Sequence, residues 1–154
     1  MQHWLTNWWR DRRGNAAIEM ALILPVLLMI LAGITEVGYV FYQASALERG
    51  LRAGATFASR AELPLSDASK AATENLVKTA SMDGTLSVSA SNWDEPGAGL
   101  VITVVDKDVG SVTVSVIKLD AKVPFSPLSG SLLNMLGLES EFIEVSHEQA
   151  SISL

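Results

Sequence analysis

The spacing of hydrophobic and polar residues divides the chain into a helical N-terminal part and a C-terminal part with a shorter period. Residues 20–35, MALILPVLLMILAGIT, contain no charged side chain, and only Glu19 and Glu36 interrupt the apolar character on either side. A bilayer core is crossed by about 20 mostly apolar residues that rise about 1.5 Å each. The pattern therefore predicts one membrane-spanning helix over about residues 16–37.

The helical pattern continues beyond this span to about residue 61. Gly50 and Gly54 form a Gly-x-x-x-Gly spacing, which permits close helix contact but is a weak signal outside a membrane. Pro64 ends the pattern because proline cannot continue a helix. We therefore predict one long helix within residues 15–63, with an apolar stripe at Val40, Ala44, Leu47, Leu51 and Phe57.

The remaining residues, 64–154, predict a small α+β domain. Ser66 or Asp67 can cap a second helix over residues 67–81, and Asp83-Gly84 is typical of a turn. The period then changes to about two, as expected for half-buried strands. We predict strands over residues 85–91, 100–105, 112–123 and 142–154, a turn at 106–110 and a short helix around 128–136. The short connection between the second and third strands favours an antiparallel pair.

Charge predicts the orientation of the membrane helix. Arg10, Arg12 and Arg13 precede the apolar run, and basic residues stay on the cytoplasmic side of a first span. Everything after about Phe41 is therefore expected outside the cytoplasm.

Net charge restricts the partners of the exported part. The chain has a formal charge of −6; without residues 1–14, which hold three Arg and one Asp, eight basic and sixteen acidic side chains remain. This acidic excess argues against nucleic acid or anionic lipid as a partner of the exported domain. The chain has no cysteine, which excludes disulfides and thiol chemistry.

The sequence contains little that could support catalysis or metal binding. His3 and His147 are the two histidines, and the acidic pairs at residues 94–95 and 106–108 lack the ligand spacing of a calcium loop. We find no Gly-x-Ser-x-Gly motif and no phosphate-binding glycine loop. We therefore expect no enzymatic activity, no metal and no cofactor.

Glu19 is the residue that an ordinary membrane anchor does not explain. A carboxylate at mid-bilayer costs about 2.5–3.5 kcal/mol on insertion scales, and less near the interface. A cleaved signal peptide is one interpretation, but the small-residue sites near Ala32 have a bulky residue at their first position. A plain anchor with a shallow acid is the second. The third is cleavage after Gly14, which makes Asn15 the first residue and Glu19 the fifth.

Cleavage after Gly14 would give Glu19 a partner. The new N-terminal ammonium of one subunit and the carboxylate of its neighbour form a matched charge pair, which neutralises both ions inside a helix bundle. The pair would also set the axial register of one helix on the next.

The segment GNAAIEMALILP, residues 14–25, resembles the N-terminal signature of TadE-like proteins, the minor pseudopilins of the Tad (Flp) pilus system, a branch of the type IV pili. Residues 47–55, LERGLRAGA, are similar to the small-residue, arginine-containing helix that follows the span in that family. One departure is Asn15, which stands where major pilins commonly have Phe.

The resemblance implies a role and a set of partners. Prepilin peptidase would remove residues 1–14, and the protein would join other pseudopilins and pilins, with the inner-membrane assembly platform and the lipid bilayer as further partners. Independently of the resemblance, Pro25 is expected to serve helix packing or a kink, or to be a bend without function, and Gly33 and Gly38 are expected to make the helix locally pliable. The implied location is the bacterial inner membrane, single-pass, with residues 64–154 as a periplasmic, pilin-like domain, and the implied role is pilus biogenesis for adhesion and biofilm formation.

Two alternatives of other classes stay open. An uncleaved anchor could carry a periplasmic domain that binds an envelope partner. A secreted binding module would instead begin near Gly33, after release from the apolar run.

Overall fold

Two helices and three strands make up the described part of the chain, which comprises residues 14–86, 92–128 and 142–152 of a computed structural model. In chain order they are α1 (Asn15–Ala58), α2 (Asp67–Thr79), β1 (Gly99–Val109), β2 (Val112–Pro124) and β3 (Phe142–Ala150). The chain divides into two units, residues 1–37 and 38–154, which are described separately. The predicted α+β class, a long N-terminal helix with a small antiparallel sheet, is confirmed.

The first unit contains the apolar part of α1, and the same helix continues into the second unit up to Ala58. The prediction of a helix to about residue 61 is therefore too long by three residues. The amides of Arg60 and Ala61 donate to carbonyls three residues earlier, each at 3.1 Å. These shorter turns end the regular helix before Pro64 is reached.

Helix α2 begins where its capping residue predicts. The amide of Ser69 donates to the Ser66 hydroxyl at 3.1 Å, which satisfies one of the free N–H groups of the first turn. The helix ends at Thr79, two residues before the predicted end, because Ala80 adopts a left-handed conformation with φ of 57°. The predicted turn at residues 83–84 is present, with Gly84 at φ of 72°.

The sheet has the order β1-β2-β3, and both pairs are antiparallel. The predicted turn at residues 106–110 is wrong, because β1 runs on to Val109, which pairs with Val112. The turn is confined to Gly110 and Ser111, and Gly110 supplies the positive φ, 69°, that a tight hairpin needs.

Three other predicted elements fall partly or wholly outside the described ranges. The strand predicted over 85–91 is not formed at residues 85–86, and residues 87–91 lie outside them. The helix around 128–136 is not begun at Leu128, and the rest of it lies outside as well. Strand β3 starts at Phe142 as predicted but ends at Ala150.

The core of the second unit lies between α1, α2 and one face of the sheet. Along α1 the buried residues recur every three or four positions, and along β2 every second residue is buried, as the two periods require. Of the predicted stripe, two leucines are fully buried while Val40, Ala44 and Phe57 are only half-buried. The main core residues are Leu47, Leu51, Ala55, Ala58, Val77, Trp93, Ile117, Leu119, Ala121 and Val123.

Candidate functional site

The start of α1 brings together the residues of the predicted cleavage and pairing site. Gly14 directly precedes the helix, Asn15 is its first residue, and Glu19 lies four residues on, about one turn along the same side. All three are exposed. Glu19 forms no hydrogen bond or ion pair with any other described residue. Its carboxylate is thus free to accept a partner from another molecule.

An apolar surface surrounds this acid. Ile18 and Leu22, on either side of Glu19 along the helix, are 62% and 72% exposed. The most apolar 18-residue stretch of α1 is long enough to cross a membrane, and none of it is buried within the chain. Such a surface is stable only against lipid or against other apolar helices. The described residues contain one such apolar helix, near the N-terminus, which indicates a single-pass membrane protein.

Three helix-modifying residues follow in the same segment. Pro25 lies inside α1, which continues across it although proline cannot donate the usual backbone hydrogen bond. A Cβ atom added to Gly33 or Gly38 would have no atom within 4 Å. Neither glycine is therefore required for packing within the described chain. The basic residues Arg10, Arg12 and Arg13 lie outside the described ranges.

The Gly-x-x-x-Gly spacing serves a contact inside the second unit. A Cβ on Gly50 would overlap the backbone carbonyl of Val77, and a Cβ on Gly54 would come within 2.6 Å of a Val77 methyl. Helix α2 thus packs directly on the backbone of α1 at these two positions. The sequence indicated close contact here but not its partner.

The outer face of the sheet carries three ion pairs. They join Lys107 to Glu148 at 2.6 Å, Lys118 to Asp120 at 2.9 Å, and Lys122 to Glu144 at 2.8 Å. The hydrogen bond from Lys118 lowers the pKa of Asp120, helped by the Ser146 hydroxyl. The hydrogen bond and charge of Lys107 likewise lower the pKa of Glu148. This face is largely neutralised by its own side chains.

His147 does not form a site with its acidic neighbours on β3. It is half-buried opposite Leu119, on the core side of the sheet, whereas Glu144 and Glu148 lie on the other face. Its Nε2 atom and Nε1 of Trp93 are buried without a hydrogen-bond partner in the described part of the chain. Within the same ranges, no three His, Asp or Glu side chains are grouped so that they could hold a metal ion.

Comparison with known proteins gives a family match in the N-terminal part of the chain. The family of TadE-like proteins matches residues 14–56, a segment that begins at Gly14 and covers nearly all of α1. No curated protein and no solved structure matches the chain. A TadE-like domain indicates a protein associated with the Tad pilus. The resemblance found in residues 14–25 and 47–55 is thereby confirmed, and the N-terminal helix of this chain is similar to that of TadE-like proteins.

Proposed function

We propose that this protein is a minor pseudopilin of a Tad (Flp) pilus, with a structural role in assembly and no enzymatic one. Prepilin peptidase cuts it after Gly14, and α1 then joins other pseudopilins and pilins in the inner membrane at the assembly platform. The N-terminus lies in the cytoplasm before cleavage and the C-terminal domain in the periplasm. The observation that carries the proposal is the family match that begins at Gly14.

The geometry around Glu19 supports this role. Its carboxylate has no partner among the described residues, and the apolar side chains around it are exposed. An unpaired carboxylate in an apolar setting is costly, and pairing with an ammonium ion offsets much of that cost. Cleavage creates such an ammonium on Asn15, and a neighbouring subunit brings it within reach of Glu19. Assembly thus stabilises an acid that the isolated chain leaves exposed.

The exposed apolar surface of α1 is a second observation that supports the same role. A membrane anchor needs only lipid around it, whereas a subunit of a helical bundle needs side chains that a neighbour can cover. Gly33 and Gly38 leave open space at their Cα atoms, where a second helix can approach closely. Both features serve packing between subunits, by which a pseudopilin enters or primes a fibre.

The experiment that tests the proposal is replacement of Glu19 in a strain whose Tad pilus depends on this chain. Glu19→Gln removes the charge but keeps the shape, so insertion and processing should persist while surface pili and adhesion fall at least about tenfold, as expected when a charge pair is lost. Glu48→Gln is the matched control, because Glu48 is an exposed acid further along the same helix. Wild-type pilus numbers with Glu19→Gln would refute the charge-pairing role.

A further inference from the structure

Most cationic side chains in the described part of the chain form ion pairs, but two do not. Every lysine in the described ranges has a carboxylate partner, and Arg52 pairs with Glu48 at 3.0 Å. Arg49 and Arg60 are the cationic side chains of those ranges without one. In a chain with a net charge of −6, two unpaired arginines so close along the chain call for a partner.

Both arginines lie on the same side of α1, Arg49 within the helix and Arg60 in the turn that follows Ala58. Arg60 follows Arg49 by eleven residues, which corresponds to about 20° around the helix axis and about 16 Å along it. Ala53 and Thr56 lie between them on this side, and all four residues are exposed. The core leucines of α1 face the opposite side. We call the four exposed residues 49, 53, 56 and 60 the arginine face.

The Arg60 end of the arginine face is hollow. A shallow depression of about 480 Å³ lies there, lined by Ala53, Thr56, Phe57, Arg60 and Ala61. Ala53 and Thr56 leave room there because their side chains are short, Arg60 lines the depression, and Arg49 lies about one turn of α1 before Ala53. The shape suits a narrow element that carries negative charge.

The hairpin of β1 and β2 ends in an element of that kind. Asp106 and Asp108 share one face of its tip, since alternate residues of a strand point the same way. Ser115 donates to Asp106 at 2.7 Å and Thr113 donates to Asp108 at 2.8 Å. Both carboxylates are exposed, ordered by these hydroxyls, and without a cation among the described residues.

We propose that the arginine face of one copy of this protein binds the β1–β2 hairpin tip of a second copy. A two-stranded tip is about 5 Å wide between backbones and fits between arginines about 16 Å apart. Asp106 and Asp108 then receive the charge of Arg49 and Arg60, with little ordering cost because the hydroxyls already hold the carboxylates. The occupant is a second copy because this chain supplies both the unpaired cations and the ordered, unpaired anions.

Such a contact joins two different surfaces, so a pair of copies keeps one free arginine face and one free hairpin tip. Contacts of this type repeat into rings or open chains rather than stopping at a dimer. The inference deepens the assembly role proposed above and rests on it for its biological meaning. The contact itself does not require cleavage, so the unprocessed chain can test it alone.

The test is charge exchange in the purified full chain, held in detergent micelles at low salt and followed by sedimentation. Arg49→Glu with Arg60→Glu should weaken self-association at least about tenfold, and Asp106→Lys with Asp108→Lys should do the same. The four changes together should restore it, because the charges match again. The wild-type association should also disappear at about 1 M salt, where the screening length is about 3 Å.

Two controls separate the contact from effects on folding. Asp106→Asn with Asp108→Asn keeps an acceptor for each hydroxyl and should weaken association with an unchanged melting temperature. Lys70→Glu reverses another exposed cation, on α2, which is paired with Asp67, and should leave association unchanged. A wild-type chain that stays monomeric, or a fourfold variant that fails to recover, would overturn the inference. Neither of these results would change the effect expected of Glu19→Gln on pilus assembly, so the two proposals can fail separately.

Discussion

Single residues of α1 have opposite roles in its two halves. Up to residue 38, Gly33 and Gly38 have open space at their Cα atoms, and Glu19 has no partner among the described residues. Beyond it, Gly50 and Gly54 are filled positions, where α2 touches the helix backbone. The same residue type, glycine, thus lies in open space in one half and at a close contact within the molecule in the other.

The two halves predict opposite effects of adding one methyl group. Gly50→Ala and Gly54→Ala should each lower the free energy of unfolding by about 1–3 kcal/mol, because the new Cβ overlaps Val77. Gly38→Ala is the matched control, with no atom near its Cβ, and should be neutral or raise stability by up to about 1 kcal/mol through helix propensity.

Urea unfolding of the full chain in detergent measures all three variants. An equal effect of Gly38→Ala and Gly50→Ala would contradict the assigned contact with α2.

These residues also show what one sequence can predict. The position of Glu19 relative to Gly14 is fixed by chain spacing alone, so the sequence is enough to locate the candidate site. The partner of Gly50 is not fixed by spacing, because Val77 is far away along the chain and approaches only through the turn between α1 and α2. The arginine face was missed for the same reason, since pairing depends on three-dimensional neighbours.

At the scale of elements, the sheet shows why local propensity misled at the hairpin. Asp106 and Asp108 are poor strand residues, and they predicted a turn. In the structure they stay in β1 because Ser115 and Thr113 on β2 donate hydrogen bonds to them. Whether a residue is stable in a strand depends on the residue that faces it on the neighbouring strand. A local sequence pattern does not contain that information. The long helix was easier to predict because its apolar period is repeated over many turns.

The ion pairs of the outer face make the sheet sensitive to acid. Hydrogen bonds from lysines lower the pKa of Asp120 and Glu148, so the folded state holds these carboxylates in charged form more strongly than the unfolded chain. Their contribution is complete above the ordinary carboxyl range and is lost as the pH falls through the lowered pKa values. The melting temperature of the full chain in detergent should therefore fall on going from about pH 6 to about pH 3.

A neutral variant isolates one of these pairs. Asp120→Asn should melt lower than wild type at neutral pH, and the difference should shrink in acid, where Asp120 itself becomes protonated. A constant difference between the two proteins across this pH range would contradict the assigned pair with Lys118.

At the scale of the whole molecule, the chain combines two units whose surfaces suit different surroundings. Residues 14–37 have an exposed apolar surface that requires lipid or other helices, and residues 38–152 contain a core with a charged outer sheet face. We propose one binding surface on each unit. We assign assembly in the membrane to the first unit through Glu19, and contact between exported domains to the second through the arginine face.

Processing after Gly14 is the central claim, since it creates the ammonium ion that gives Glu19 its partner. The most direct measurement is the intact mass of the protein expressed with and without a prepilin peptidase. We predict a product that begins at Asn15 with the peptidase and an uncut chain without it. An intact Met1 in both samples would contradict this claim and would favour an uncleaved membrane anchor.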